Sequence, residues 1–261
     1  MGLKLVAPAA VALVLASPAS FLQAQQRPNG GFAEVGGVAS PALTAWAALG
    51  LVAAGQAPAG ALDYLRDHER DALPPTTRAL VALAAAAIGD PQLAGRLSTT
   101  AGQTNTIVWT ILARRQAGLT APQPLVSALL ARQAMSGGWG WAKGVAPDSN
   151  DTAAAVQALR AAGVTGTPIR RALDYLRTTR TTDGGFAIVR GRESDAQSTA
   201  WAIQAFIAAG APVPKDAFAY FRGLRRDDGS YRYSRRYVTT PVWVTAQVLP
   251  AILRKPFPLK P

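Results

Sequence analysis

Three carboxylates stand just ahead of alanine-rich apolar stretches: Asp148 and Asp151 in Asp148-Ser-Asn-Asp-Thr-Ala153, and Asp195 in Asp195-Ala-Gln-Ser-Thr-Ala200. The two hexapeptides align residue for residue, as copies of one pattern, Asp-x-(Asn/Gln)-(Asp/Ser)-Thr-Ala. A carboxyl group shielded from water can give or take a proton, and a facing pair of them suggests glycoside hydrolysis. The same side chains have a structural use. An Asp before a helix accepts hydrogen bonds from the free N–H groups of its first turn. It also meets the positive end of the helix dipole, which is worth roughly 0.3–1 kcal/mol. Chemistry requires the groups to converge. Asp148, Asp151 and Asp195, with Glu193, are expected to meet at one mouth of the fold described next.

The elements that must position them repeat. A Thr opens a short, almost wholly apolar helix that ends in Gly at Thr44…Gly55, Thr77…Gly89, Thr106…Gly118, Thr152…Gly163 and Thr199…Gly210. The Thr-to-Gly offsets are 11, 12, 12, 11 and 11 residues, and a degraded sixth copy runs from about Val242 to Leu253. A fixed internal period marks a repeat architecture. Helices that are apolar all round are buried on every side. Between them lie one-sided helices such as Gly60-Ala-Leu-Asp-Tyr-Leu-Arg66 and Pro168-Ile-Arg-Arg-Ala-Leu-Asp-Tyr-Leu-Arg177, several starting at Pro. The sixth of these falls near Pro18-Ala-Ser-Phe-Leu-Gln23. Alternating buried and one-sided helices predict an all-α chain: a closed α/α toroid of about six hairpins, an inner ring wrapped by an outer one, with no β-sheet of any size. Its inner-helix N-termini open onto one end.

Gly-rich aromatic turns follow four of the outer helices: Gln26…Gly-Gly-Phe32, Gln133…Gly-Gly-Trp139, Thr182-Asp-Gly-Gly-Phe186 and Asp227-Asp-Gly-Ser-Tyr231. From about Phe21 to Leu253 the chain resembles the prenyltransferase/squalene-oxidase repeat, whose Q-x-x-D-G-G-[FW] turns staple the helices of terpene cyclases. The resemblance implies the toroid. It leaves activity open, because one fold hosts many functions. Asp148-Ser-Asn-Asp-Thr-Ala153 resembles the D-x-D-D-T-A motif of squalene–hopene-type cyclases, in which the middle acid protonates an alkene. Here that position is Asn150, and an amide has no such proton to give. The expectation is therefore binding without turnover, of an apolar, isoprenoid-like or lipid-like envelope ligand. The alternative is a terpene-cyclase-like or prenyl-transferring enzyme using Asp148 or Asp151.

Trp46, Trp109, Trp201 and Trp243 fall on the apolar helices, and Trp139 and Trp141 mark a turn. Together with Asn150 and Asp195 they are candidate ligand contacts, the aromatics lining the bore as an apolar pocket. The net charge of +12 is concentrated late, with Arg232 and Arg235 among tyrosines. That basic segment suits a diphosphate, lipid headgroups or an anionic wall polymer. Nucleic acid is not expected, since no recognised binding motif accompanies the charge. No metal or cofactor is expected: the chain has no Cys and one His, His68, so a zinc site of Asp, Cys and His is ruled out. The start, with Lys4 before an apolar run from Leu5 to Leu15, has the layout of a secretory signal cut between residues 16 and 24, which predicts export to the cell envelope. The domain expectation is a leader over 1–16, the toroid over 17–253, and a frayed basic Pro-rich tail over 254–261.

Overall fold

The computed structural model describes residues 16–69 and 71–259; the expected leader, Ala16 apart, lies outside the described residues. Six long helices form an inner ring: α2 (Pro41–Ala53), α4 (Pro75–Ile88), α6 (Thr104–Gln116), α8 (Ser149–Ala161), α10 (Ala196–Ala208) and α12 (Pro241–Ile252). Six mostly shorter ones wrap it: α1 (Pro18–Gln23), α3 (Ala61–Asp67), α5 (Gln92–Gly95), α7 (Gln123–Leu130), α9 (Thr167–Thr178) and α11 (Ala217–Arg222). Each inner helix packs on the next, and α12 returns to pack on α2, so the ring is closed. The expected all-α toroid is the observed fold. Its one departure is a small antiparallel hairpin, β1 (Phe186–Ala187) with β2 (Ser194–Asp195), which leads into α10.

The inner helices approach closely because alanines fill the contacts. Ala45, Ala47, Ala48, Ala82, Ala84, Ala155, Ala158, Ala202 and Ala205 are all buried. The recurring Thr has a specific use. The hydroxyl of Thr44, Thr152, Thr199 and Thr245 accepts the backbone N–H of Phe32, Trp139, Phe186 and Tyr231 respectively, each at 2.9 Å. One hydrogen bond thus ties every aromatic turn to the inner helix that follows it. The residue six positions before each turn aromatic (Gln26, Gln133, Arg180 and Arg225) reaches to the entry of the next outer helix. Gln26 Nε2 donates to Ala59 O (2.6 Å) and Gln133 Nε2 to Pro168 O (2.8 Å), while Arg180 pairs with Asp216.

The fourth turn closes the ring. Arg225 donates to Ala16 O (3.0 Å), at the entry to α1. Gly229 has φ +87° and lies so near Ser17 that a Cβ would stand 2.5 Å from its carbonyl oxygen, so only glycine fits. Across the same seam the Glu34 carboxylate accepts the N–H groups of Val242 (3.0 Å) and Trp243 (2.9 Å), capping α12 from the first repeat.

The tail departs from the expected frayed end. Phe257 and Leu259 are buried, and Pro256–Leu259 stops the C-terminal mouth of the inner ring. The Phe257 N–H donates to Gln157 Oε1 (2.8 Å). Leu259 exchanges two bonds with the Gln116 amide (2.6 and 3.0 Å). An apolar ring interior takes up Phe257, and two glutamines, Gln157 buried and Gln116 half-buried, satisfy the backbone that carries it.

Candidate functional site

Trp46 on α2, Trp109 on α6 and Trp201 on α10 each stand six positions past their helix's N-cap, Ser40, Gln103 and Asp195. They come from alternate inner helices and meet on the ring axis. Their rings lie edge to face, with centroids 5.4, 5.8 and 5.5 Å apart. At the same position α8 carries Ala154, which leaves them room. Phe257 packs beneath, 6.0 Å from Trp201 and 6.4 Å from Trp46. This corrects the expected open, Trp-lined bore. The tryptophans do face the axis, but they fill it and one another's surroundings from mid-height down.

What remains is a cup above the Trp layer, a cavity of about 220 Å³. The three indoles form its floor, and Ile188, immediately after β1, lies on one side. Asn105, Asn150 and Gln197 rim it, each two positions past the N-cap of its own helix, with Asp148 and Asp151 beside them. Gln247 completes the wall. Its Oε1 accepts Trp201 Nε1–H (2.7 Å) and Gln197 Nε2–H (3.1 Å), while its own Nε2 is buried without a partner. The cup is therefore apolar below and lined by amides and carboxyl groups above.

The two carboxyl groups of α8 differ. Asp148 is the N-cap, and its Oδ1 accepts the Asp151 N–H at 2.8 Å. Asp151 sits one turn above Ala154 on the axial side, largely out of water. Burial, then a side-chain bond to Asp148 and that residue's charge, push the Asp151 carboxyl up to about 8, opposed by a hydrogen bond from Asn105. Asp151 thus holds its proton well above the usual carboxylate range. Burial and the Asp148 charge also push Tyr175 up to about 12. Asp195 is held differently. It caps α10 through the Ser198 N–H and the Ser198 hydroxyl, both at 2.7 Å, and burial raises its carboxyl against those bonds.

Of the expected site residues, the structure brings Asp148, Asn150, Asp151, Trp46, Trp109 and Trp201 to one cup. The others lie elsewhere. Asp195 is a cap outside the cup wall, and Glu193 is exposed and paired with Arg236 at 3.2 Å. Trp139 is wholly buried in its turn, where Nε1 donates to Leu129 O (2.7 Å). Trp141 is 47% exposed. Trp243 packs at the ring seam, two residues after the Glu34-capped start of α12. Arg232 has its Nε buried without a partner, whereas Arg235 is exposed beside Asp183 at 3.9 Å. None of these faces the cup. Sequence reading missed Asn105, Gln197 and Gln247. The first two were recoverable, since they are the copies of Asn150 on the neighbouring inner helices.

No family model matches the chain, and no curated protein sequence matches it. Solved structures do. The type II terpene cyclase MstE from Scytonema is 14% identical, with a TM-score of 0.69 over 90% of this chain and 95% of that one. A protein from Actinoplanes is 19% identical, with a TM-score of 0.64 over 91% and 97% of the two chains. Candida albicans protein geranylgeranyltransferase-I, complexed with GGPP, is 10% identical, with a TM-score of 0.58 over 81% and 83%. At these identities the likeness is one of architecture: the chain has the α/α-toroid fold found in terpene cyclases and protein prenyltransferases.

Proposed function

We propose that the cup is an acid-bearing site of terpene-cyclase type, in which Asp151 protonates the terminal alkene of an isoprenoid. The observation that carries this reading is the placement of the Asp151 carboxyl on the wall of a cavity floored by three indoles, where burial and Asp148 raise it above the usual carboxylate range. An alkene takes a proton only where the resulting cation is stabilised, and indole faces supply that. The Asn105 amide supports the carboxylate left behind. The transfer is balanced without a co-reactant. The Asp151 O–H bond breaks, a C–H bond forms, and the cation is captured by a second alkene of the same chain. Loss of a proton from carbon then regenerates the acid, so the net reaction is an isomerisation. MstE has been seen with geranylgeranyl dihydroxybenzoate, and the Candida enzyme with GGPP. An isoprenoid substrate class here follows by analogy of fold. The cup is smaller than the roughly 300–1,000 Å³ of whole-ligand pockets, so it receives the chain's terminus and the remainder lies outside.

Asn150 favours a second reading, binding of an isoprenoid-like ligand without turnover, because an amide stands where the cyclase motif has its acid. One experiment separates the two. The protein is incubated in D₂O with farnesol and with geranylgeraniol, and the extract is examined by mass spectrometry for deuterium on carbon. Asp151→Asn is expected to abolish incorporation while the protein stays folded. Saturable binding with no deuterium in any product supports the binding reading. Sequence positions 1–16 favour export, which the mature N-terminus of the secreted protein would test.

A further inference from the structure

A second cavity opens at the opposite mouth. Gln157 lies on α8 one turn below Ala154, wholly buried. Its Oε1 accepts the Phe257 N–H, while its Nε2 has no partner. A buried amide N–H₂ left unpaired is costly, and this one borders a cavity of about 480 Å³. Ile207 and Phe257 supply apolar lining, and Arg160, Arg254 and Lys255 supply three cations with no carboxylate among the lining residues. Cations are expected where inner helices end, because carbonyl groups and the negative dipole end gather there. Those carbonyls already have partners: Arg115 Nε donates to Ala161 O (2.9 Å) and Arg160 Nε to Ala208 O (3.1 Å). Arg254 and Lys255 are surplus to that need. Arg254 is steadied instead by the Phe218 ring, 4.4 Å away, and among the described residues neither makes an ion pair.

We propose that this cavity binds a small amphiphilic anion, a phosphate or carboxylate head on a short apolar body. The head is met by Lys255, Arg254 and the spare Gln157 N–H₂, and the body rests on Ile207 and Phe257. The site is separated from the acid cup by the Trp layer and does not depend on its chemistry.

The probe is hexyl phosphate, followed by calorimetry on the full chain, with 1-hexanol as the uncharged control. Saturable binding is expected, weakened about tenfold by Lys255→Glu and left unchanged by Asp151→Asn. Gln157→Glu keeps an oxygen for the Phe257 N–H and replaces the spare donor by charge, so it is expected to weaken binding at least as much. Its thermal midpoint is recorded alongside, and Lys255→Glu, at an exposed position, gives the answer if Gln157→Glu unfolds. Absence of saturable heat with hexyl phosphate, equal affinity for 1-hexanol, or an affinity indifferent to Lys255→Glu each overturns the proposal.

Discussion

The two mouths of the ring are built from the same helices and end in opposite chemistry. At the N-terminal mouth Asp148 and Asp195 each answer first-turn N–H groups, and at the C-terminal mouth Arg115 and Arg160 answer last-turn carbonyls. Both sets complement the helix dipole. Each mouth then carries something the dipole does not explain. Above the Trp layer it is Asp151, an acid raised above the usual carboxylate range. Below it are Arg254, Lys255 and an unpaired glutamine amide. The lesson is that charge at a helix end is uninformative until the backbone groups it satisfies are accounted for. The remainder is where function is to be sought.

The largest effect is expected from opening the lower mouth. Phe257 is 3% exposed and packs on two of the three axial indoles. Phe257→Ala removes that ring from a tight core, and a loss of about 3–5 kcal/mol follows. Denaturant unfolding reads it. A loss below about 1 kcal/mol would mean that the tail is an ornament on the ring and not its stopper.

The upper mouth is expected to respond with the opposite sign. In the folded chain Asp151 keeps its proton up to about pH 8, whereas an unfolded aspartate gives it up near pH 4. The folded state therefore binds more protons across that window. Its stability is greatest below the unfolded value and is lost as pH rises through about 8. At about 1.36 kcal/mol per pH unit, the group costs up to about 4 kcal/mol at pH 7. Asp151→Asn, with no charge to bury, is expected to recover several kcal/mol at neutral pH and to flatten the slope between pH 4 and 8. A variant that is less stable at pH 7, with the slope intact, would show the carboxyl to be structural. Retention of a group with such a cost is the ordinary mark of a functional site.

Much of this was legible in the sequence, and the gaps have physical causes. Alanine-rich, all-round apolar stretches between one-sided helices fix the toroid, because only an inner ring buries every face. The Thr register was legible too, but it names only Thr44, Thr152 and Thr199 among the threonines that hold a turn; Thr245, in the degraded sixth copy, was not read. Thr77 and Thr106, the two copies with the longer offset, stand one position early in their helices, and no Gly-aromatic turn precedes them to donate an N–H. Thr106 instead shares a hydrogen bond with Thr76 at 2.8 Å. With α6 shifted by that one residue, Asn105 falls in line with Asn150 and Gln197. The plug was not legible. Pro256-Phe-Pro-Leu259 has no periodicity, and its burial depends on the ring interior, which is made by residues as distant in sequence as Trp46, Gln157 and Trp201. The tryptophans were legible as a set and not by direction: Trp139 and Trp201 differ in distance from an N-cap, not in composition.

Thr152→Val probes the seam that holds the acid cup. It removes the only hydroxyl that accepts the wholly buried Trp139 N–H, and keeps the side chain's size. A buried donor left unpaired costs about 1–3 kcal/mol. The equivalent Thr106→Val strands no backbone N–H and is expected to cost under about 1 kcal/mol, since it breaks only a half-buried hydroxyl pair. Equal losses at the two sites would dissolve the distinction between the repeats with aromatic turns and those without.

The smallest effect on stability isolates the pairing of the two α8 carboxyl groups. Asparagine caps a helix about as well as aspartate, so Asp148→Asn keeps the bond to the Asp151 N–H while removing the charge beside it. The net change at pH 7 is expected to stay within about 1 kcal/mol. Titration is what should move. Asp148 raises Asp151 through a side-chain bond and through its charge, and it raises Tyr175 through its charge alone. Both are therefore expected to fall, Asp151 by the larger amount and Tyr175 by the smaller. The first is read from the pH at which stability stops declining, and the second from tyrosinate absorbance. Burial is the leading cause at both residues and is untouched by the substitution, so neither group returns to its ordinary range. If Tyr175 falls while Asp151 stays near 8, burial alone holds the proton, and the acid of the cup is a property of its walls and not of its neighbour.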